Sequence, residues 1–293
     1  MTRDVRALLR VFDDRDALAA LAPSLSISDA VAAPLRSAAS PSSVLDDLRS
    51  EGYAVLAGVV DPTTCDALAR GAAALTDAGI PPLFLLAFDE LWSGVFAAAS
   101  AASTAMRRPM TPIPDLWAWY LEPKPGARGW PPHRGVYDDV RDDEGIPTLV
   151  NVWIPLRDAE PENGCMVIVP QDLDPGFPTS KNVDDTPLDR ARAVPAAAGS
   201  MVFWGANVLH WGGTVGRRAR APRSAFSVSL RSGAPPDALA TVPSFRQRID
   251  LAAELVLTYG ELDPTLGPVV EWARSVHGMN LARRKVSRLP PTP

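Results

Sequence analysis

The chain has 293 residues, a formal net charge of -5 and 46% hydrophobic residues, enough apolar material to bury the core of one large domain. The acidic balance excludes the basic stripe that a nucleic-acid polymer requires, and no apolar run approaches the roughly 18 residues that cross a bilayer. Acids in the first segment argue against an export signal, and Cys65 and Cys165 are too few for a disulfide framework, so a cytoplasmic protein without membrane contact is expected.

In chain order, an amphipathic stretch covers Val5–Leu21, and the alanine-, serine- and proline-rich run after it reads as a connector. Residues 1–40 are therefore expected as an N-terminal helical extension, and residues 41–293 as a single domain. A helix over Ser43–Ser50 leads to a strand at Tyr53–Leu56. Asp61 then supplies a helix N-cap with Pro62 at the first helical position, and Cys65, Leu68, Ala69, Ala72 and Leu75 recur on one face. Another helix is expected over Glu90–Met106.

From Asp115 the texture becomes that of short strands punctuated by proline and glycine: Leu116–Leu121, Thr148–Pro155, Met166–Val169, Ser200–Trp204 and Ser224–Leu230. Glu162-Asn163-Gly164 is a turn between two of them. This spacing predicts a mainly β domain, a sandwich or jelly roll flanked by the earlier helices. Tyr137–Gly145, dense in aspartate, and Asp172–Asp189 read as long loops, which in compact domains often serve as lids or binding loops. A helix over Phe245–Tyr259 follows.

Histidine is scarce: His133, His210 and His277 are the whole set. The first lies in Gly129-Trp130-Pro131-Pro132-His133-Arg134-Gly135, the second in Phe203-Trp204-Gly205-Ala206-Asn207-Val208-Leu209-His210-Trp211-Gly212-Gly213, and Ala221-Pro222-Arg223-Ser224 follows. His277, in the C-terminal helical region, reads as a surface or structural residue. Period two places Asn151 and Trp153 on one face of their strand, and Arg223, Ala225, Ser227 and Ser229 on one face of theirs. Trp130, Trp204 and Trp211 flank the motifs and read first as packing.

These ordered motifs, with the segment Pro147–Pro170 between them, resemble the phytanoyl-CoA dioxygenase family of iron(II)/2-oxoglutarate oxygenases. The resemblance covers about residues 43–260. It implies a double-stranded β-helix (a cupin-like jelly roll) with Fe(II) at its open end, O2 as oxidant and 2-oxoglutarate as cosubstrate. By the same resemblance His133 and His210 are the metal ligands and Arg223 clamps the far carboxylate of 2-oxoglutarate, a match of planar guanidinium to carboxylate. Trp153 lines the cosubstrate pocket. A serine two residues past the arginine is common in related oxygenases; Ala225 stands there, which leaves Ser227 as a weaker substitute.

The family's third ligand is the aspartate of His-x-Asp, completing a facial triad. Here that position is Gly135, so the ligand carboxylate is missing. His-x-Gly in this setting resembles the halogenase variants of the family, in which chloride takes the place of the carboxylate at the metal. Two other readings stay open: a hydroxylase with a substitute carboxylate from Asp138 or Asp139, and a jelly roll that binds a small molecule without turnover. Asp138 and Asp139 lie three and four residues past Gly135, and reaching back from either needs a tight return of the loop. The expected substrate is a freestanding small metabolite of specialised metabolism, with a deoxynucleotide as leading candidate and a carrier-tethered substrate less favoured. Asn151 is an uncommon inward amide that fits either a structural hydrogen bond or a site contact. Arg217, Arg218 and Arg220 fit either a phosphate grip or a solvated loop in an arginine-rich chain.

Overall fold

Two antiparallel sheets face each other, and helices seal the outer face of the larger one. The computed structural model describes residues 10–28, 43–181, 188–263 and 266–277. Its strands are β1 (Tyr53–Leu56), β2 (Met110–Leu121), β3 (Leu149–Pro155), β4 (Met166–Ile168), β5 (Arg192–Val194), β6 (Met201–Gly205), β7 (His210–Gly212) and β8 (Arg223–Ser232). The larger sheet runs in the order β1-β6-β3-β8-β2 and the smaller β5-β4-β7. The arrangement is the expected mainly β jelly roll with flanking helices.

Period-two alternation decides what each face does. On β3 and β8, Val150, Val152, Ile154, Phe226, Val228 and Leu230 are buried in the large core shared with the helices. Trp153 and Ala225 point the other way and pack with Val202 and Trp204 against Cys165, Met166 and Ile168. The inward face predicted for Asn151 and Trp153 therefore holds, and the pairing of Asn151 with Ser229 and Trp153 with Ser227 extends it across β8.

The helices are α1 (Arg15–Leu21), α2 (Val44–Ser50), α3 (Pro62–Asp77), α4 (Asp89–Ala105), α5 (Phe245–Tyr259) and α6 (Gly267–His277). Asp61 caps α3 as expected, accepting from Thr64 N at 2.9 Å. Helix α4 lies close over β8 at Gly94, where a Cβ would come within 2.8 Å of Phe226 Cζ. Arg248 of α5 is buried and ties the helical layer together, donating to Ala87 O at 2.9 Å and Asp89 Oδ1 at 2.7 Å. Among the described residues no helix is long and apolar enough to cross a membrane.

Three expectations change. Val5–Leu21 is not one helix: residues 1–9 lie outside the described residues, and Asp14 caps a new helix at Arg15 by accepting from Asp16 N and Ala17 N. Strand β2 starts at Met110, six residues before the expected Leu116. Pro112 and Pro114 are tolerated because β2 is a sheet edge and its register slips between Pro112 and Leu116. Strands β5 and β7 went unforeseen because their three residues, Arg192–Val194 and His210–Gly212, lack the apolar character that marks the equally short Met166–Ile168. The connector between α1 and α2, apart from residues 22–28 and Ser43, and residues 182–187 of the long loop, fall outside the described residues.

Candidate metal centre

His133 and His210 come from segments 77 positions apart, yet one antiparallel bridge joins them: His133 N donates to His210 O at 3.1 Å and His210 N to His133 O at 3.0 Å. The bridge sets the two imidazoles side by side, with ring centroids 4.3 Å apart. His133 Nδ1 lies 2.7 Å from Pro131 O, and His210 Nδ1 lies 2.9 Å from Val208 O. A carbonyl only accepts, so each Nδ1 carries the proton and each Nε2 keeps its lone pair. Burial holds both imidazoles below the usual histidine range; at His210 the shift is large and the nearby His133 adds to it. Neutral rings with carbonyl-fixed tautomers are the form in which imidazole binds a divalent metal. The pair fits iron.

Arg223 is buried, and burial lowers its pKa to about 10. It donates to Gly164 O, but its Nε has no acceptor and no carboxylate pairs with it among the described residues. An uncompensated buried cation is costly, and a carboxylate-bearing ligand would satisfy it. Gly129 and Gly212 clear the space: a Cβ at Gly212 would lie 2.6 Å from one terminal nitrogen of Arg223, and one at Gly129 2.8 Å from the other. Sequence reading missed both glycines, although the glycine pair after His210-Trp211 was a visible signal.

Gly135 follows His133 by two residues and is exposed. It is not among the glycines with positive φ, so the backbone there admits an L side chain. A Cβ would approach Asn151 Nδ2 to 3.0 Å and Ala206 O to 3.1 Å. Among the described residues no group of three or more His, Cys, Asp and Glu side chains is placed to hold a metal ion. Asp139 is committed to Arg141, accepting from Nε at 2.8 Å and from a terminal nitrogen at 2.7 Å. That contact, ahead of opposing desolvation, lowers its pKa. Asp138 is exposed, and among the described residues only its backbone oxygen is engaged, by Asn207.

The other expected residues fall in distinct places. Trp153 is buried between the sheets, and Ser227 sits on the same inner face, paired across β2 and β3 with Trp117 and Trp153. Trp204 packs against His210 in a tilted arrangement, with ring centroids 4.6 Å apart. Trp130 packs against His133 at 5.7 Å and touches Trp117, Trp119 and Tyr259 as well. Trp211 faces outward on the smaller sheet, beside Val167 and Ala193. Arg217, Arg218 and Arg220 are exposed on the turn joining β7 to β8, and no hydrogen bond or ion pair ties them to the histidines or Arg223 among the described residues. His277 ends α6.

Two features were not legible beforehand. Arg134, between His133 and Gly135, makes a fully buried ion pair with Asp174 at 2.7 Å and donates to Asn207 O at 2.9 Å, anchoring the loop after β4 beside the histidines. Asp115 accepts from Ser229 Oγ at 2.6 Å and from Tyr259 Oη at 2.8 Å. An acid alternating with Trp117 and Trp119 on one strand was the available hint.

Comparison with known proteins points the same way as the motifs. Residues 81–220 match the phytanoyl-CoA dioxygenase (PhyH) family. That span holds His133, Gly135, Asn151, Trp153 and His210 and ends just before Arg223. Among solved structures, the apo form of the non-heme monooxygenase ThoJ is similar at TM-score 0.56 and 14% identity, covering 78% of this chain and 99% of its own. The non-heme alpha-ketoglutarate-dependent carbocyclase SnoK from nogalamycin biosynthesis is similar at TM-score 0.52 and 18% identity, covering 69% and 88%. At these identities the likeness is one of fold. No curated protein matches the sequence. The PhyH match over residues 81–220 agrees with the resemblance carried by the motifs and supports an enzyme of the iron/2-oxoglutarate oxygenase type.

Proposed function

We propose that this PhyH-type enzyme is a halogenase that chlorinates an unactivated C–H bond of a freestanding small metabolite. The observation that carries the reading is Gly135: the position of the family's ligand carboxylate holds no side chain, its backbone does not demand glycine, and neither Asp138 nor Asp139 is turned to replace it. Iron(II), when bound with 2-oxoglutarate, O2 and chloride, supplies the oxidising power for C–H cleavage and the halogen for transfer.

The chain's own residues do the positioning. His133 and His210 present Nε2 lone pairs to the metal, and their Nδ1 protons on Pro131 O and Val208 O keep the rings from turning. Arg223, held among glycines, takes the far carboxylate of 2-oxoglutarate, with Trp153 and Ser227 as walls. Trp204 covers one side of His210 and excludes water there. Trp117, Trp119 and Trp130 have buried indole N–H groups without acceptors among the described residues, which favours a substrate rich in oxygen acceptors. A deoxynucleotide such as a deoxyadenylate meets that requirement, and Arg217, Arg218 and Arg220 would meet its phosphate at the rim. Specialised or antibiotic metabolism is the proposed setting.

Incubation with iron(II), 2-oxoglutarate, O2 and chloride against a nucleotide and metabolite panel tests the reading. The expected product shows the chlorine isotope pair in its mass spectrum; products bearing only added oxygen would replace halogenation by hydroxylation. Gly135→Asp, which needs Asn151 and Ala206 to yield by a few tenths of an ångström, is expected to abolish chlorination and leave any remaining turnover as hydroxylation.

A further inference from the structure

We propose that Asn151 is the specificity-determining residue for the anion beside Gly135: its carboxamide N–H donates to a monatomic halide in the space that an aspartate side chain would otherwise fill. The inference rests on the halogenase reading and adds the protein group that holds the halide.

Two groups face that space, Asn151 Nδ2 and Ala206 O, at 3.0 and 3.1 Å from where a Cβ on Gly135 would sit. Ala206 O already accepts from Gly135 N at 2.8 Å and Val136 N at 3.1 Å, so its lone pairs are engaged and its negative end is partly neutralised. Asn151 Nδ2 has no acceptor among the described residues. A donor with spare capacity beside two neutral imidazoles favours an anion over water.

The amide is held in that direction. Its Oδ1 accepts from Ser229 Oγ at 3.0 Å, and the same hydroxyl reaches Asp115 Oδ2 at 2.6 Å, one proton shared between two acceptors. Tyr259 Oη donates to the other oxygen of Asp115 at 2.8 Å. With Oδ1 anchored on buried Ser229, Nδ2 points toward Gly135. Ser229, Asp115 and Tyr259 are positioning residues that act through Asn151. Size completes the selection: a side chain at 135 would crowd the amide, whereas an ion bound at the metal needs no Cβ.

Chloride titration of the anaerobic protein loaded with iron(II) and 2-oxoglutarate tests this, at constant ionic strength and read through the iron–2-oxoglutarate absorption band. Asn151→Leu keeps approximate shape without a donor, and chloride affinity is expected to fall about ten- to a hundredfold, the worth of one hydrogen bond to a charged group. Iron and 2-oxoglutarate affinities should stay within about threefold of the parent. Asn151→Asp, the second variant, places an acceptor where the donor was and should lose chloride binding altogether; it decides the matter if the leucine variant does not fold. Unchanged chloride affinity in a folded variant overturns the inference and leaves the halogenase reading intact. Loss of iron from a folded variant also overturns it, because the amide is then a metal ligand. A parent protein that binds no chloride overturns both.

Discussion

The two faces of the larger sheet are built from the same strands and do opposite work. Toward the helices, Val150, Val152, Ile154, Phe226, Val228 and Leu230 are sealed to 0–1% exposure in a continuous apolar core, and the one glycine at the contact, Gly94, lets α4 approach Phe226. Toward the smaller sheet, the same strands carry Asn151, Trp153, Arg223, Ser227 and Ser229, and there the buried Arg223 Nε and several indole N–H groups have no acceptor among the described residues. Stability is concentrated on the first face. The second keeps unsatisfied polar groups that, in the proposed function, a metal, a dicarboxylate and a substrate would complete.

The contrast predicts separable mutational effects. Phe226→Ala should lower unfolding free energy by about 3–5 kcal/mol, measured by denaturant melts, while 2-oxoglutarate affinity of the folded fraction changes by less than about threefold; a large affinity change would show that the faces are coupled. Arg223→Met should weaken 2-oxoglutarate binding at least about a hundredfold, because a charge-assisted bidentate contact is lost. Its apo form should melt no lower than the parent, since replacing an unpaired buried cation by an apolar side chain removes a desolvation cost. A clear fall in the apo melting temperature would mean that the guanidinium is structural.

The third effect, absent at neutral pH, concerns the thiols. Burial is the main force pushing Cys65 up to about 12 and Cys165 up to about 11, from the ordinary value of 9.0. Above about pH 9 the unfolded chain loses protons that the folded chain retains, so folding stability should decline as pH rises from about 9 toward 11 or 12. The stability lost in that window should shrink in the Cys65→Ala, Cys165→Ala double variant. Both thiols should also resist alkylation at pH 8 in the native state, which peptide mapping checks.

Legibility followed the length and strength of local patterns. Helix α3 with its Asp61 cap, β1 and α5 were read with their ends correct or nearly so, because capping and periodicity are local. His133 and Gly135 were singled out through the resemblance to the family's His-x-Asp motif, which joins near neighbours in the chain. Strand β7 escaped because His210-Trp211-Gly212 lacks the apolar run that marks the equally short β4, although it carries His210. The proline-bearing start of β2 escaped because only sheet order reveals an edge.

What the sequence alone determined was the inventory: three histidines, a glycine where the family pattern has a carboxylate, one arginine downstream, and strands whose alternation separates an apolar face from a polar one. The tertiary structure decided which of these meet. A bridge between residues 133 and 210, the glycines around Arg223, the turn of Asn151 toward Gly135 and the buried Arg134–Asp174 pair all join positions that lie on different segments of the chain. Such contacts depend on register between strands and on close approach of backbones, quantities that no single segment of chain contains.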